Sequence, residues 1–342
     1  MIRVLIVDDS LFIRTILRDL LKDSPDIEVV GTAVNGIDAL EKISSLKPDV
    51  VTLDIEMPRM NGLETLEALS EARSKPKVIV LSTLTSRQAD MTHRALRLGA
   101  DDFMLKPKDV PNVRGIEREL IQKIKNLVTL PTVVKPTTIT RNEADAVVVI
   151  GSSAGGPPML DMLLSALPPD LPAAVVVTQH MPEGFTASLA ERLNRVSALP
   201  VKETENGESL QTGTVLISKA GYHTVISGVV AGGGKSRGRV IHSTAPRLHA
   251  VRPAVDKTFA SAARVFGPRT VSVILSGMGN DGGEGTLAVK AAGGRTMVCA
   301  EEDCLVYGMA RSALARDSVD KVVPFKDLAR EITKAVGHLR GG

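Results

Sequence analysis

The feature that most constrains this chain is an alternation of short apolar runs with helical patterns, run through twice. In the first pass, Val4 to Val7, Glu28 to Ala33, Asp49 to Leu53, Val78 to Leu81 and Asp102 to Leu105 read as strands. Leu11 to Leu21 and Ala39 to Leu46 repeat apolar residues at helical spacing, and helical patterns fill the remaining gaps. Five strands alternating with five helices predict a doubly wound, mostly parallel sheet. Such sheets bind their ligands at the carboxyl ends of the strands. Thr129 to Asn142, TLPTVVKPTTITRN, then breaks the pattern and reads as a linker.

The second pass begins at Ala146. Ala146 to Ile150, Ala173 to Thr178, Val215 to Ser218, Val271 to Leu275 and Thr296 to Ala300 are its strand candidates. Pro157 to Leu167, Phe185 to Leu193, a segment after Gly282, and Lys326 to Leu339 read as helices. Thr224 to Ile241, interrupted by AGGGKSRG, reads as an antiparallel hairpin. The expected organisation is two α/β domains, residues 1–124 and 146–342, with 125–145 between them. A length of 342 residues suits two cores. With no Trp, two Tyr and six Phe, those cores must be built from Val, Leu, Ile, Ala and Met.

The net charge of +3 comes from interspersed acids and bases, which is no nucleic-acid signature. The opening MIRVLIVDDS is too short in its apolar part for a signal peptide. No stretch approaches the roughly 18 apolar residues of a membrane span. The expectation is a cytoplasmic protein without membrane insertion. Cys299 and Cys304 are the only cysteines, a pair that makes neither a disulfide framework nor a zinc site.

Chemistry concentrates at the predicted strand ends. In the first block Asp8 and Asp9 follow the first strand, Asp54 the third, Ser82 the fourth and Lys106 the fifth. Clustered carboxylates repel one another unless a hard cation sits among them, and Mg²⁺ suits oxygen donors. An aspartate beside Mg²⁺ is a competent phosphoryl acceptor, with a lysine to neutralise the transferred group. Ser82 is placed to sense that group by hydrogen bonding, and a cis bond at Lys106–Pro107 would hold the lysine inward.

In the second block the strand VVVIG runs into GSSAGG and a helix. A glycine-rich turn there is a phosphate cradle, a nucleophile elbow or a plain loop. Gly151-Ser152-Ser153-Ala154-Gly155 fits G-x-S-x-G with Ser153 as nucleophile, and fits neither nucleotide fingerprint. His180 ends the next strand, in VVVTQHMP, and Asp281 sits in SGMGNDGGEG after a third. A structural histidine and a helix N-cap are the plain alternatives for these two. Asp170 would restore the usual hydrolase order Ser, Asp, His, but it lies in a PPDLP loop at the opposite end of a strand.

Residues 1 to about 122 resemble the response-regulator receiver domain, through VLIVDDS, VTLDIEMPRMNGLE, VIVLST and GADDFMLKP. The resemblance implies a flavodoxin-like fold and phosphorylation at Asp54 by a CheA-type histidine kinase. It places Mg²⁺ among Asp8, Asp9, Asp54 and the backbone carbonyl of Glu56, with Ser82, Phe103 and Lys106 as switch residues. From about Ala146 the chain resembles the CheB methylesterase domain, through VVVIGSSAGGP, VVVTQHMPEGFTASLAERLN, RPAVDKTFASAA, VILSGMGNDGGEG and VYGMARSALA. That resemblance implies a Rossmann-like domain with Ser153 as nucleophile, His180 as base and Asp281 as acid, and no cofactor there. It implies removal of methyl esters from glutamates, and deamidation of glutamines, in methyl-accepting chemoreceptors. The family turn commonly reads GASTGG, so Ser152 stands for an alanine and Ala154 for a threonine.

Two other readings compete: a phosphorylation-gated binding module with a decayed hydrolase domain, and a nucleotide-binding domain at GSSAGG. The hairpin tip, Arg247 and Arg252 are candidate substrate contacts or plain solvated surface. The chain is read as a monomer.

Overall fold

A computed structural model describes residues 1–71, 75–82, 86–106, 113–129, 142–230 and 236–339. The chain divides into two compact units, Met1–Pro131 and Thr132–Gly342. The first unit alternates β1 (Ile2–Val7), α1 (Leu11–Leu21), β2 (Ile27–Ala33), α2 (Gly36–Leu46), β3 (Val50–Asp54), α3 (Gly62–Ser70), β4 (Lys77–Ser82), α4 (Ser86–Arg97), β5 (Asp102–Leu105) and α5 (Val113–Thr129). Its sheet runs β2-β1-β3-β4-β5, with every pairing parallel. The five strands and five helices follow the sequence reading. Val4 to Val7 and Val50 to Leu53 are buried, as strands covered on both faces must be. Helix starts are marked locally: Asn61 and Glu64 close a capping box on α3.

The second unit contains β6 (Val147–Ser152), α6 (Gly156–Ala166), β7 (Ala174–Gln179), α7 (Phe185–Val196), β8 (Val201–Glu203), β9 (Val215–Ile217), β10 (His223–Val230), β11 (Ser236–Ser243), α8 (Val255–Phe266), β12 (Thr270–Ile274), α9 (Gly283–Ala291), β13 (Arg295–Cys299), α10 (Gly308–Leu314), β14 (Lys321–Val323) and α11 (Phe325–His338). Seven parallel strands run β14-β13-β12-β6-β7-β9-β8. The strands β10 and β11 form the expected antiparallel hairpin.

Two apolar layers cover the sheet. Leu160, Leu164, Leu189 and Ile332, from α6, α7 and α11, belong to one. Val255, Phe259, Phe266, Val289 and Met309, from α8, α9 and α10, belong to the other, and Ile226 and Val240 of the hairpin join it. The order places β6 between β12 and β7. The chain therefore leaves β6 to one side first and returns later on the other, which opens a crevice at the carboxyl ends.

The sequence reading misses α8, α10 and the edge strands β8 and β14. Three-residue edge strands carry almost no periodic signal. The omission of α8 matters more, because Val255, Phe259, Ala262, Ala263 and Phe266 do repeat at helical spacing and are buried. Residues 130–141 of the linker expected at 125–145, the hairpin tip at 231–235 and Pro107 lie outside the described residues. Among the described residues no helix is long and apolar enough to cross a membrane.

The packing of α8 on α9 depends on Gly285. A Cβ there would lie 2.6 Å from Phe259 Cβ and 2.9 Å from Asp256 Cα. Alanine would gain about 1 kcal/mol in helix propensity, against about 1–3 kcal/mol for overpacking. Because Asp256 Cα is backbone and cannot swing aside, overpacking wins. Gly285→Ala should therefore lower the stability of the second unit, read as an earlier midpoint in chemical denaturation; a later midpoint would show that the helices separate freely.

Candidate active site and acidic pocket

The acidic pocket forms where β1, β3 and β5 end. Asp8 and Asp54 are buried while Asp9 is exposed, and one carboxylate oxygen of each lies within 4.8 Å of the others. Lys106 reaches between them, its Nζ 2.9 Å from Asp8 Oδ2 and 2.6 Å from Asp54 Oδ2. Burial pushes the Asp54 carboxyl up to about 6, Lys106 opposes the shift, and the charge of Asp8 adds to it. Burial disfavours the Lys106 ammonium, yet its bonds to Asp54 and Asp8 outweigh that and hold it above the ordinary lysine value. One lysine against three carboxylates leaves net negative charge beside hard oxygen donors. That set fits a small divalent cation. Ser82 is buried at the end of β4 and accepts a hydrogen bond from Thr92 Oγ1 at 2.9 Å. Phe103 is buried in β5, with Lys123 Nζ 5.6 Å from its ring centroid.

The second site lies at the ends of β6, β7 and β12. The pairing that puts Ser152 opposite Gln179 sets Ser153 and His180 one step beyond adjacent strand ends. The His180 N–H donates to the carbonyl of Ser152 at 2.9 Å. Beyond Ser153 the chain turns sharply into α6. Gly155 adopts φ +77, and α6 opens with Pro157 and Pro158, whose missing N–H groups cost nothing in a first turn.

Asp281 follows β12 and faces His180, with Oδ2 at 2.7 Å from Nε2. It is also a helix cap, though not of the helix it precedes. Oδ2 accepts from the Val255 N–H at 2.7 Å and Oδ1 from the Asp256 N–H at 2.9 Å, at the start of α8. The cap and the histidine partner are thus one residue, so the two readings of Asp281 are not alternatives. Burial alone pushes this carboxyl up, but the bonds from His180, Asp256 and Val255 outweigh it and hold it below the ordinary value. An ionised Asp281 can only accept, so the proton on His180 sits at Nε2 and the lone pair is left on Nδ1. This wiring reverses the common arrangement, in which Nδ1 meets the acid. Ser153 Oγ makes no hydrogen bond among the described residues. Such catalytic bonds commonly close only with substrate.

The neighbouring hydroxyl is disposed of differently. Ser152 is fully buried and donates to Gln179 Oε1 at 2.6 Å. Gln179 Nε2 in turn donates to the carbonyls of Ser153 and His180, each at 2.9 Å. Ser152 therefore locks the turn rather than facing the cleft. Ala154 is exposed, so the threonine hydroxyl absent there leaves no buried group unpaired. The turn around Gly277 lies against the serine: a Cβ on Gly277 would come within 3.1 Å of Ser153 Cβ. Cys299 and Cys304 are free and buried. The Cys299 thiol is pushed far up, by its hydrogen bond to Cys304 and then by burial, which makes it a poor nucleophile. Asp170 precedes β7, away from this rim. Gln179 and Asp256 escape a motif search because key partners of each, the Ser152 hydroxyl and Ser153 carbonyl for one and the Gly282 and Gly285 N–H groups for the other, lie in distant segments.

A protein-family model described as CheB methylesterase matches residues 148–332, and one described as response regulator receiver domain matches residues 4–125. The protein-glutamate methylesterase/protein-glutamine glutaminase 1 of Methanospirillum hungatei is 58% identical over 342 residues, covering 100% of both chains. The protein of the same description from Clostridium acetobutylicum, without the numeral, is 40% identical over 349 residues, covering 99% of each. The crystal structure of the Thermotoga maritima CheB methylesterase catalytic domain aligns with a TM-score of 0.52 at 40% identity, covering 55% of this chain and 97% of that one.

The raised Asp54 value carries a pH dependence in metal-free protein. A carboxyl whose folded value lies above its unfolded one disfavours the folded state as it ionises, so stability is lost as pH rises from about 4 through about 6. Asp54→Asn removes that term. Its unfolding free energy relative to wild type should rise across this window, by a total on the order of 3 kcal/mol, and then level off. Denaturation midpoints measured in chelator at pH 4, 5, 6 and 7 check this; a difference that stays flat would show that Asp54 titrates normally.

Proposed function

The chain belongs to the CheB methylesterase family, in the form that carries an N-terminal response-regulator receiver, and from that premise we propose how its residues divide the work. The protein is a phosphorylation-activated hydrolase acting on the methyl esters of glutamate side chains in receptor proteins, and on glutamine amides at the same positions. The observation that carries this reading is the His180–Asp281 pair at 2.7 Å, set at the strand ends on either side of Ser153. Residues 1–124 are the receiver, 125–145 the linker and 146–342 the catalytic domain.

In the reaction, Nδ1 of His180 takes the Ser153 proton as Oγ attacks the ester carbonyl. The imidazolium that forms is held by Asp281, which stays ionised on three N–H donors. The Ser153 N–H is already bonded to the Ser276 carbonyl, and the Gly277 N–H to that of Val306. The oxyanion is therefore assigned to other N–H groups of the two turns, such as those of Ala154 and Met278, which have no acceptor among the described residues. His180 returns its proton to the leaving methanol, or to ammonia from glutamine. Water then attacks the acyl-enzyme by the same route in reverse.

In the receiver, Asp54 is the phosphoryl acceptor. Mg²⁺, when bound by Asp8, Asp9, Asp54 and the Glu56 carbonyl, supplies the neutralisation that phosphoryl transfer needs. Lys106 pairs with the arriving phosphoryl oxygens, Ser82 hydrogen-bonds to them, and Phe103 responds by repacking. The donor is a CheA-type histidine kinase and the substrates are methyl-accepting chemoreceptors. The protein acts as a cytoplasmic monomer.

Methanol release from methylated receptor should fall by several orders of magnitude in Ser153→Ala, as expected when the nucleophile of a triad is lost. Ser152→Ala should retain most activity, since that hydroxyl is buried against Gln179. Activity surviving Ser153→Ala and lost in Ser152→Ala would overturn the assignment. No release by the phosphorylated wild type would favour the binding-module reading. Removing residues 1 to about 140 should raise the basal rate if the unphosphorylated receiver inhibits; an unchanged rate in a folded fragment would argue against that control.

A further inference from the structure

Asp281 and Asp256 cap each other's helices. Asp281 accepts the N–H groups of Val255 and Asp256 at the start of α8. Asp256 Oδ1 accepts those of Gly282 and Gly285 at the start of α9, at 2.9 and 2.6 Å. Neither helix has a side-chain cap of its own. The carboxylate of Asp256 thus holds the residue that follows Asp281, while its own N–H holds the Asp281 side chain. Displacing either carboxylate displaces the other.

The remaining oxygen of Asp256 is also engaged. Oδ2 lies 2.8 Å from His249 Nε2. His249 sits in a tight loop closed by reciprocal backbone bonds between Leu248 and Val251. It and Ala250 both adopt positive φ, 53 and 62. Two successive non-glycine residues in the left-handed region cost free energy, and they persist only where surrounding contacts impose them. The reciprocal Leu248–Val251 bonds impose this turn, and the turn presents the His249 ring to Asp256. The Asp256 side chain is 6% exposed and that of His249 33%. The inner member is therefore shielded, and the outer one can be replaced at little structural cost.

We propose that Asp256 is a positioning residue for the hydrolase acid, aligning Asp281 with His180 through the reciprocal caps, and that His249 steadies Asp256 from outside. This rests on the reading of Ser153, His180 and Asp281 as the triad. A helix cap with no catalytic consequence would cost stability alone. A positioning residue costs turnover in the folded enzyme, because misplacement of about an ångström can cost a hundredfold. It also acts only while Asp281 is there to be positioned.

The test uses the full-length protein, with kcat and KM for methanol release from methylated receptor and thermal unfolding of each variant. Asp256→Asn should lower kcat about ten- to a hundredfold with KM little changed. His249→Ala should lower it several-fold in a protein that melts close to wild type. In an Asp281→Asn background, followed by single turnover, adding Asp256→Asn should change the rate by less than about twofold, the sign of action through Asp281. The proposal falls if His249→Ala and Asp256→Asn keep the wild-type kcat, or if Asp256→Asn costs the same factor with and without Asp281. Should Asp256→Asn fail to fold, His249→Ala decides alone. If Asp281→Asn itself keeps full activity, the triad reading has failed, an outcome distinct from failure of the positioning role.

Discussion

A carboxylate buried beside a histidine needs a reason to stay ionised, and in this protein the reasons are the bond from His180 and the N-terminus of α8. Two backbone N–H groups point at Asp281 from Val255 and Asp256. The helix dipole adds a positive potential at the same point. Together with the His180 bond these donors outweigh the burial that pushes the carboxyl up. Much of the second unit answers to this one placement. The strand order brings β12 beside β6, the hairpin backs α8 through the Ser261 hydroxyl bonded to the Ile226 N–H, and glycine at 285 lets α8 and α9 approach closely.

The acidic pocket of the first unit meets the same electrostatic problem by another route. Asp8 and Asp54 are buried near each other with one ammonium between them. Backbone gives each a single N–H, Ser10 to Asp8 Oδ1 at 2.9 Å and Glu56 to Asp54 Oδ1 at 3.3 Å, where Asp281 has two from the start of α8. Burial, with the charge of Asp8 added and Lys106 opposing, leaves Asp54 raised toward neutrality. On the proposed reading, a site that acquires a cation and a phosphoryl group stays incomplete in this way. Asp281, the proposed acid, is settled by its three N–H donors.

Both sites sit at carboxyl strand ends of parallel sheets, for the same geometric reason: adjacent strands there open into loops that face one rim. The rim of the second unit gains precision from polar side chains that bind backbone. Gln179 ties the carbonyls of Ser153 and His180 together, and Ser152 holds Gln179. A serine in place of the commoner alanine is therefore part of the scaffold of the turn.

Period and turn chemistry were readable along the chain. Strand runs of Val and Ile, helical repeats such as Leu11 to Leu21, and the glycine-rich turn after VVVIG are local signals, because each depends on neighbours within a few residues. The residue types at strand ends also marked Asp8, Asp54, Lys106, Ser153, His180 and Asp281 as candidates. What only the tertiary structure decided was how distant groups complete those side chains: which helix Asp281 caps, which nitrogen of His180 it meets, and where the Ser152 hydroxyl is bound. Hydrogen bonds between segments separated by 25 to 101 residues set all three. Such contacts leave no periodic trace in the sequence, because they are made by strand order and helix packing rather than by spacing along the chain.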